Sequence, residues 1–352
     1  MNRTVSTWVR TRSVRVQRGF TLVELLVVIA IIGLLVGLTV PAVMSVRGAF
    51  ERSAVKFEVQ ALDNAINNYR GKNGDYPPDG SSWTVMERHL RKAFPNILSS
   101  ELNLINPANG TRMDAAEALV FFLGGFSSDS QRPFTGAGGP ILNVGTLAAP
   151  VYRYNPARDN SYYDFKDRLT LFTDPIGALS NDEGIFANFA NDVFPVYMAR
   201  NNKVAQEGTP YVYFDSRTYL FNKNTAAAPI YNCYQPSDIT ITTGAARWEL
   251  GAVRPHLESV NTATGSFVFA NNKTFQIIAP GADGKYGGRI LSLGSQWFTT
   301  IGQSYTYNGT IMAPDPASRA RFELSEYNGL VPLPALDNSG NFIDVNTFGE
   351  SR

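Results

Sequence analysis

A chain of 352 residues, 44% hydrophobic and 17% charged, has room for one large domain or two modest ones and is too apolar for wholesale disorder. Its net charge of +1 hides an asymmetry. Arg3, Arg10, Arg12, Arg15 and Arg18 fall within the first nineteen residues with no acid among them, and without them 26 of the 31 basic residues face 30 acids. The remainder therefore gives no reason to expect nucleic-acid binding. The one cysteine, Cys233, excludes an intrachain disulfide and a cysteine-based zinc site. Its plain reading is a buried small apolar side chain rather than a redox group. Only two histidines occur, His89 and His256, which weakens metal-enzyme and histidine-base readings.

In residues 20–46 the one ionisable side chain is Glu24, and residues 25–46 are uncharged and mostly aliphatic. As a helix rising ~1.5 Å per residue this run crosses a hydrocarbon core of ~30 Å, with the span set at about 22–46. A secretory signal has a shorter apolar region and ends at small residues, whereas this run reaches Pro41 and then Arg47. The leader arginines favour a cytoplasmic N-terminus and send the C-terminal mass across the membrane. A carboxylate near the bilayer centre costs roughly 2.5–3.5 kcal/mol, part of which Glu24 relieves by lying near the end of the run. Pro41 removes one helical hydrogen bond and bends the rod, which membrane helices tolerate.

Beyond the apolar run the pattern becomes amphipathic. Val55, Val59, Leu62, Ile66 and Tyr69 recur at helical steps, with Lys56, Asp63, Asn64, Asn67, Asn68 and Arg70 on the other sides. Gly71-Lys72-Asn73-Gly74 is a stop signal. The spacing predicts one helix over 20–71, roughly 75 Å long at ~1.5 Å per residue, whose second half packs under the chain's own domain; a coiled-coil seam is the competing account. Pro77 holds Tyr76 extended, and Pro77-Pro78 fixes the direction in which the chain leaves.

Residues 72–352 read as one globular α+β domain: short helices with a mainly antiparallel sheet. Ser81 and Ser82 can cap a helix carrying Trp83, Met86, Leu90 and Phe94 on one stripe, with Arg88, His89, Arg91 and Lys92 as a basic solvated face. A second helix is expected over 113–123, closed by Gly124-Gly125, followed by a long Gly/Ser/Pro-rich loop at about 127–150. Residues 211–214, 219–221, 266–269, 275–278 and 297–301 are the strand candidates. Their tyrosines suit core packing more economically than a carbohydrate-binding face. Asp283-Gly284 signals a hairpin turn. Nucleophile-elbow, phosphate-loop, zinc-protease and dinucleotide motifs are absent from the sequence.

The junction Arg18-Gly19-Phe20-Thr21-Leu22-Val23-Glu24-Leu25-Leu26 closely resembles the class III signal of type IV prepilins and type II secretion pseudopilins. The resemblance implies cleavage between Gly19 and Phe20 by a prepilin peptidase that also N-methylates Phe20, so that 1–19 is a cleaved cytoplasmic leader and 20–71 the pilin-like helix. It further implies that Glu24 meets the positive N-terminus of a neighbouring subunit and sets its stagger, and that Pro41 is the family's helix-kinking proline. Asn73 to Pro78 looks like the loop that leaves this helix in major pseudopilins. Residues 279–288 look like a turn near which the major pseudopilin binds calcium. A calcium ligand at Asp283 and a plain hairpin turn both stand as readings there, and no other cofactor is expected. On this resemblance the chain is a non-enzymatic pseudopilin-like subunit of a type II secretion or type IV pilus-like filament. It would sit in the bacterial inner membrane, single-pass, with its C-terminal domain periplasmic. Its expected partners are the peptidase, other pilin or pseudopilin subunits and the secretion platform, with no nucleic acid. A membrane-anchored enzyme or polysaccharide-binding protein exported on a prepilin signal is the alternative. The globular part departs from the family in being much larger than usual.

Overall fold

A computed structural model describes residues 20–109, 113–146, 148–165, 169–170, 178–179, 193–199, 210–221, 231–234, 240–241, 253–279, 286, 296–299 and 303–314, with the side chains of 41–52, 109, 170, 178–179, 240–241, 296 and 304 outside that description. The chain forms two compact units, residues 1–49 and 50–352. Helix α1 (Leu22–Asn73) supplies most of the described part of the first and the opening element of the second. It runs two residues further than the stop signal suggests and ends where Gly74 takes a positive φ of 74°, a conformation that costs glycine little.

In the first unit the apolar stretch Leu22–Val40 is long enough to cross a membrane, and none of it is buried. Every residue from 20 to 40 is exposed. The helix continues through Pro41, whose missing N–H leaves the Gly37 carbonyl without its helical donor.

In the second unit the stripe of α1 holds as expected: Val55, Val59, Leu62, Ala65, Ile66 and Tyr69 are buried in the main core. They pack with Met86 and Leu90 of α2 (Trp83–Ala93) and with α4 (Glu117–Leu123), every residue of which is buried; α3 (Ser99–Leu104) adds Leu102 and Leu104. Helix α4 starts later than the sequence suggests because Asp114 and Glu117 form a reciprocal cap. The Asp114 carboxylate accepts from the amides of Ala116 and Glu117 at 2.7 and 2.9 Å, and Glu117 accepts from the Asp114 amide at 2.9 Å. At its other end the half-buried Arg158 guanidinium donates to the carbonyls of Val120, Phe121 and Gly125, satisfying the acceptors a helix terminus leaves open.

Thirteen short strands lie among the described residues: β1 (Ile141–Asn143), β2 (Tyr152–Tyr154), β3 (Leu169–Thr170), β4 (Ala178–Leu179), β5 (Val196–Tyr197), β6 (Val212–Asp215), β7 (Thr240–Ile241), β8 (Leu257–Val260), β9 (Phe267–Phe269), β10 (Phe275–Ile278), β11 (Gln296–Phe298), β12 (Ser304–Tyr307) and β13 (Met312–Pro314). They pair antiparallel as β1–β2, β3–β5, β4–β7, β6–β10, β8–β9 and β11–β12–β13. The α+β class stands, with the strands among the described residues paired into six small antiparallel sheets. The pair β6–β10 is buried on both faces. Tyr213, Phe275 and Ile277 face the main core, while Val212, Phe214 and Ile278 face a second cluster with Val196, Met198, Tyr219 and Tyr234, as period-two side chains require.

Several expectations are corrected. His89 does not belong to the basic face of α2: it is buried, shares a 2.7 Å hydrogen bond with the Tyr69 hydroxyl and stacks on its ring. Arg88, Arg91 and Lys92 do remain exposed. Ser82 occupies the N-cap of α2 without a side-chain capping bond. The loop at 127–150 contains β1. Residues 219–221 are not a strand, because the Asp215 carboxylate accepts from the Arg217 amide and starts a 3-10 turn over Ser216–Thr218; Tyr219 then folds inward against Phe269. Asp283 lies outside the described residues. Cys233 is buried, as expected.

The chain leaving α1 is held by one carboxylate the sequence reading passed over. Asp79, 1% exposed, accepts at Oδ2 from the Asp215 amide (3.1 Å), the Thr218 hydroxyl (2.6 Å) and the Asn232 side-chain amide (2.8 Å). At Oδ1 it accepts from the amide and hydroxyl of Ser81, at 3.0 and 2.5 Å. Nearby, Arg217 pairs with Asp215 and Asp75 and donates to the Tyr76 carbonyl at 2.7 Å, while the Tyr213 hydroxyl donates to the Pro77 carbonyl at 2.8 Å. Removing an acceptor that satisfies buried donors costs their full desolvation. Asp79→Ala is therefore expected to lower unfolding stability by about 3–5 kcal/mol, against less than about 0.5 kcal/mol for the exposed-pair control Glu87→Gln, measured by urea denaturation of the detergent-solubilised chain.

The buried histidines also fix a pH dependence. Burial lowers His89 to about 4 and His256 to about 3, so both are neutral in the native state. The unfolded chain, with histidines near 6.5, takes up protons first as pH falls, and this stability is lost progressively below pH 6.5. Asp215 opposes the trend: burial raises it to about 6 against the pull of Arg217, so its contribution grows as pH falls from 6 towards 4. At pH 5 each histidine has lost about 2 kcal/mol and Asp215 has returned about 1.4 kcal/mol. A net loss of about 2–3 kcal/mol between pH 7 and 5 is expected in urea titrations, and His89→Gln should flatten part of that slope.

Candidate processing and assembly site

The N-terminal end of α1 begins with a residue that sequence reading did not single out. The Thr21 hydroxyl accepts from the Glu24 amide at 3.1 Å, and the Glu24 carboxylate accepts at Oε2 from the Thr21 amide (2.8 Å) and hydroxyl (2.9 Å). This Thr-x-x-Glu reciprocity is a capping box, and its signal was present in the sequence. It satisfies two of the amides a helix start leaves open and places a negative charge at the positive end of the helix dipole. Oε1 of Glu24 accepts no hydrogen bond among the described residues.

Phe20 lies immediately before this cap, outside the helix, and is 75% exposed. The bond that precedes it joins Gly19, which lies outside the described residues. Phe20 and Glu24 therefore share one exposed helix start, while Pro41 sits on the same helix five turns away. Asp283 is not brought to this site by anything described. Among the described residues no group of three or more His, Cys, Asp or Glu side chains is placed to hold a metal. The buried carboxylates Asp79 and Asp215 already have oxygens engaged by Ser81, Thr218, Asn232 and Arg217, so their arrangement is that of a structural clamp.

Residues 14–40 match the family model described as the prokaryotic N-terminal methylation motif, which covers Gly19, Phe20 and Glu24 and stops one residue short of Pro41. Over 113 residues the chain is 43% identical to the type II secretion system core protein G of Klebsiella michiganensis, an alignment covering 80% of that protein and 28% of this chain. The chain belongs to the type II secretion core protein G family. The core protein G of Pectobacterium carotovorum is 39% identical over 124 residues, 76% of its length and 31% of this chain. That of Escherichia coli K12 is 43% identical over 61 residues, 42% of its length and 17% of this chain. No solved structure matches the chain. Since the Klebsiella and Pectobacterium alignments cover under a third of this core protein G relative, most of its second unit has no counterpart in them.

The cap gives a direct test. Thr21→Val removes the hydroxyl that accepts from Glu24 and donates to it, at a cost of about 1 kcal/mol typical of an N-cap. Amide exchange in the first turn of α1, at residues 23–25, should quicken about fivefold in detergent, with the amides of 59–66 unchanged.

Proposed function

We propose that this chain is a structural subunit of a type II secretion filament, processed between Gly19 and Phe20 and assembled through α1. The observation that carries the reading is an apolar helix, exposed on every side, that starts at a methylation motif and belongs to the core protein G family. In the proposed precursor the five leader arginines hold the N-terminus in the cytoplasm, residues 22–40 span the inner membrane as a single pass, and the second unit lies in the periplasm.

After cleavage Phe20 carries a positive, N-methylated amine. The Phe20–Thr21 peptide bond survives processing, so the Thr21 amide still donates to Oε2 of Glu24, while Oε1 is open to the amine of a neighbouring subunit. A carboxylate with one oxygen engaged in its own helix and the other exposed supports this role for Glu24. Pro41 supports close packing differently, by freeing the Gly37 carbonyl and letting the helix bend or open there. The expected partners are the prepilin peptidase, other pseudopilin subunits and the secretion platform. The reading includes no catalysis by the chain itself, in keeping with the structural class of its family. Calcium at Asp283 stays a proposal that rests on the resemblance of residues 279–288 alone.

Mass spectrometry of the mature protein is expected to return an N-methylated Phe20 as the first residue. Gly19→Ala should leave the precursor at full mass, and Glu24→Gln should be processed yet yield few or no sheared filaments. A mature N-terminus elsewhere would overturn the processing site.

A further inference from the structure

A third, smaller core is separate from the two that flank β6–β10: Leu257, Trp297, Tyr305 and Met312 are buried there. A bridge between Leu257 and Thr299 sets β8 beside β11. Arg254, just before β8, thereby meets the ring of Trp297, with its guanidinium carbon 5.3 Å from the ring centroid. Arg254 is 5% exposed and Trp297 is completely buried.

Two other arginines of this unit show how a guanidinium is ordinarily accommodated. Arg158 directs its donors to three carbonyls around the end of α4, and Arg217 pairs with Asp75 and Asp215. Arg254 has one hydrogen bond among the described residues, from Nη1 to the Tyr231 carbonyl at 3.0 Å. Its buried Nη2 has no partner. The titratable groups beside it are Cys233 and Tyr231, and no carboxylate among the described residues pairs with it. The indole Nε1 of Trp297, which can only donate, is likewise buried without a partner. Buried donors are nearly always satisfied, and a buried charge left uncompensated is strongly destabilising. Ordered water can satisfy such donors but leaves the positive charge unbalanced. An anion does both.

The surroundings narrow its chemistry. One guanidinium balances one negative charge, which suits a carboxylate and leaves a phosphate dianion in excess. The half-buried rings of Tyr231 and Tyr307 border Trp297 at 6.2 and 6.5 Å and lie 5.2 Å from each other, with Phe267 against Tyr307 at 5.5 Å. They offer apolar cover for the remainder of a ligand. Donors this deep are reached by a small acid and not by the surface of a folded partner.

We propose that Arg254 and Trp297 form a binding site for a small organic monocarboxylate, its carboxylate taken by Nη2 and Nε1 and its apolar part by the rings of Tyr231 and Tyr307. The site does not depend on the filament reading. The test uses the full chain in detergent with benzoate as probe, followed by calorimetry and by melting temperature. Saturable binding and a rise in melting temperature are expected, with neither from inorganic phosphate at equal ionic strength. Trp297→Phe keeps an aromatic ring and removes the donor, and should weaken benzoate about tenfold. Arg254→Met should abolish binding yet melt no lower than the unliganded native chain, because an unpaired buried charge has been removed. The same variant controls for partition of benzoate into the detergent. No saturable binding by the native chain overturns the site, and so does an affinity unchanged in either variant. Phosphate binding as tightly as benzoate overturns the carboxylate assignment. A lower melting temperature for Arg254→Met, with the native chain unmoved by benzoate, would make Arg254 a structural brace and overturn the proposal.

Discussion

The stretch Leu22–Val40 exposes nineteen residues to which the rest of the described chain offers no cover. A buried leucine, isoleucine or valine is stabilised by about 1.5–3 kcal/mol relative to an exposed one, so this segment needs an external apolar environment at every stage. Lipid supplies it first, and a helix is the form in which a single segment satisfies its own backbone there. A neighbouring helix of the same kind can supply it afterwards. On the proposed filament reading, the capped helix start and the proline within the helix serve an element that passes between those two environments.

The second unit is organised around the other half of the same helix. Leu62, Ile66 and Tyr69 are completely buried, so α1 is a core element of that unit and its C-terminal half is integral to the fold. Contacts far apart in sequence then fasten the chain where it leaves the helix. Tyr211 reaches Glu58, Tyr213 reaches Pro77, Arg217 reaches Tyr76 and Asp79 collects donors from β6, the following turn and Asn232. All of these partners lie more than 130 residues away. The clamp therefore closes only after β6 has docked, and non-local closure of this kind slows folding. It also ties the residues that follow α1, from Asp75 to Asp79, to the core of the second unit.

The helix, its apolar and amphipathic halves and its stop were legible because each is written in local periodicity: Val55 to Tyr69 at steps of three and four, then Gly74 in the left-handed region. The strands at 212–215, 267–269 and 275–278 were legible from aromatic and β-branched runs. What could not be read depended on partners distant in the chain. His89 sits among Arg88, Arg91 and Lys92, and only its meeting with Tyr69 makes it a core residue. Tyr219 to Phe221 has strand composition, yet Asp215 starts a turn that overrides it. Strands of two or three residues, such as β3, β4 and β7, carry no periodic signal at all. The Thr21–Glu24 cap was readable and was obscured by the stronger methylation motif around it. Asp79 followed a double proline and resembled any loop aspartate, since three of its five donors are brought in from far along the chain by β6, its turn and Asn232.

The capping box changes how Glu24 should be understood. Its self-contained bonds to Thr21 stabilise the helix start by about 1 kcal/mol and reduce the cost of carrying a carboxylate at the edge of the apolar run. They occupy only Oε2. In the proposed assembly, a cation brought to Oε1 would thus add to the cap without displacing it, and in surroundings of low dielectric a charge-assisted contact is stronger than a neutral one. The two roles are then cumulative: the intramolecular bond fixes the carboxylate's position, and the intermolecular one uses it. A glutamine at 24 could still accept from Thr21 through its carbonyl oxygen but would present an uncharged group to the amine. Substituting it therefore separates the charge of Glu24 from its helix-capping geometry, which substitution by alanine cannot do.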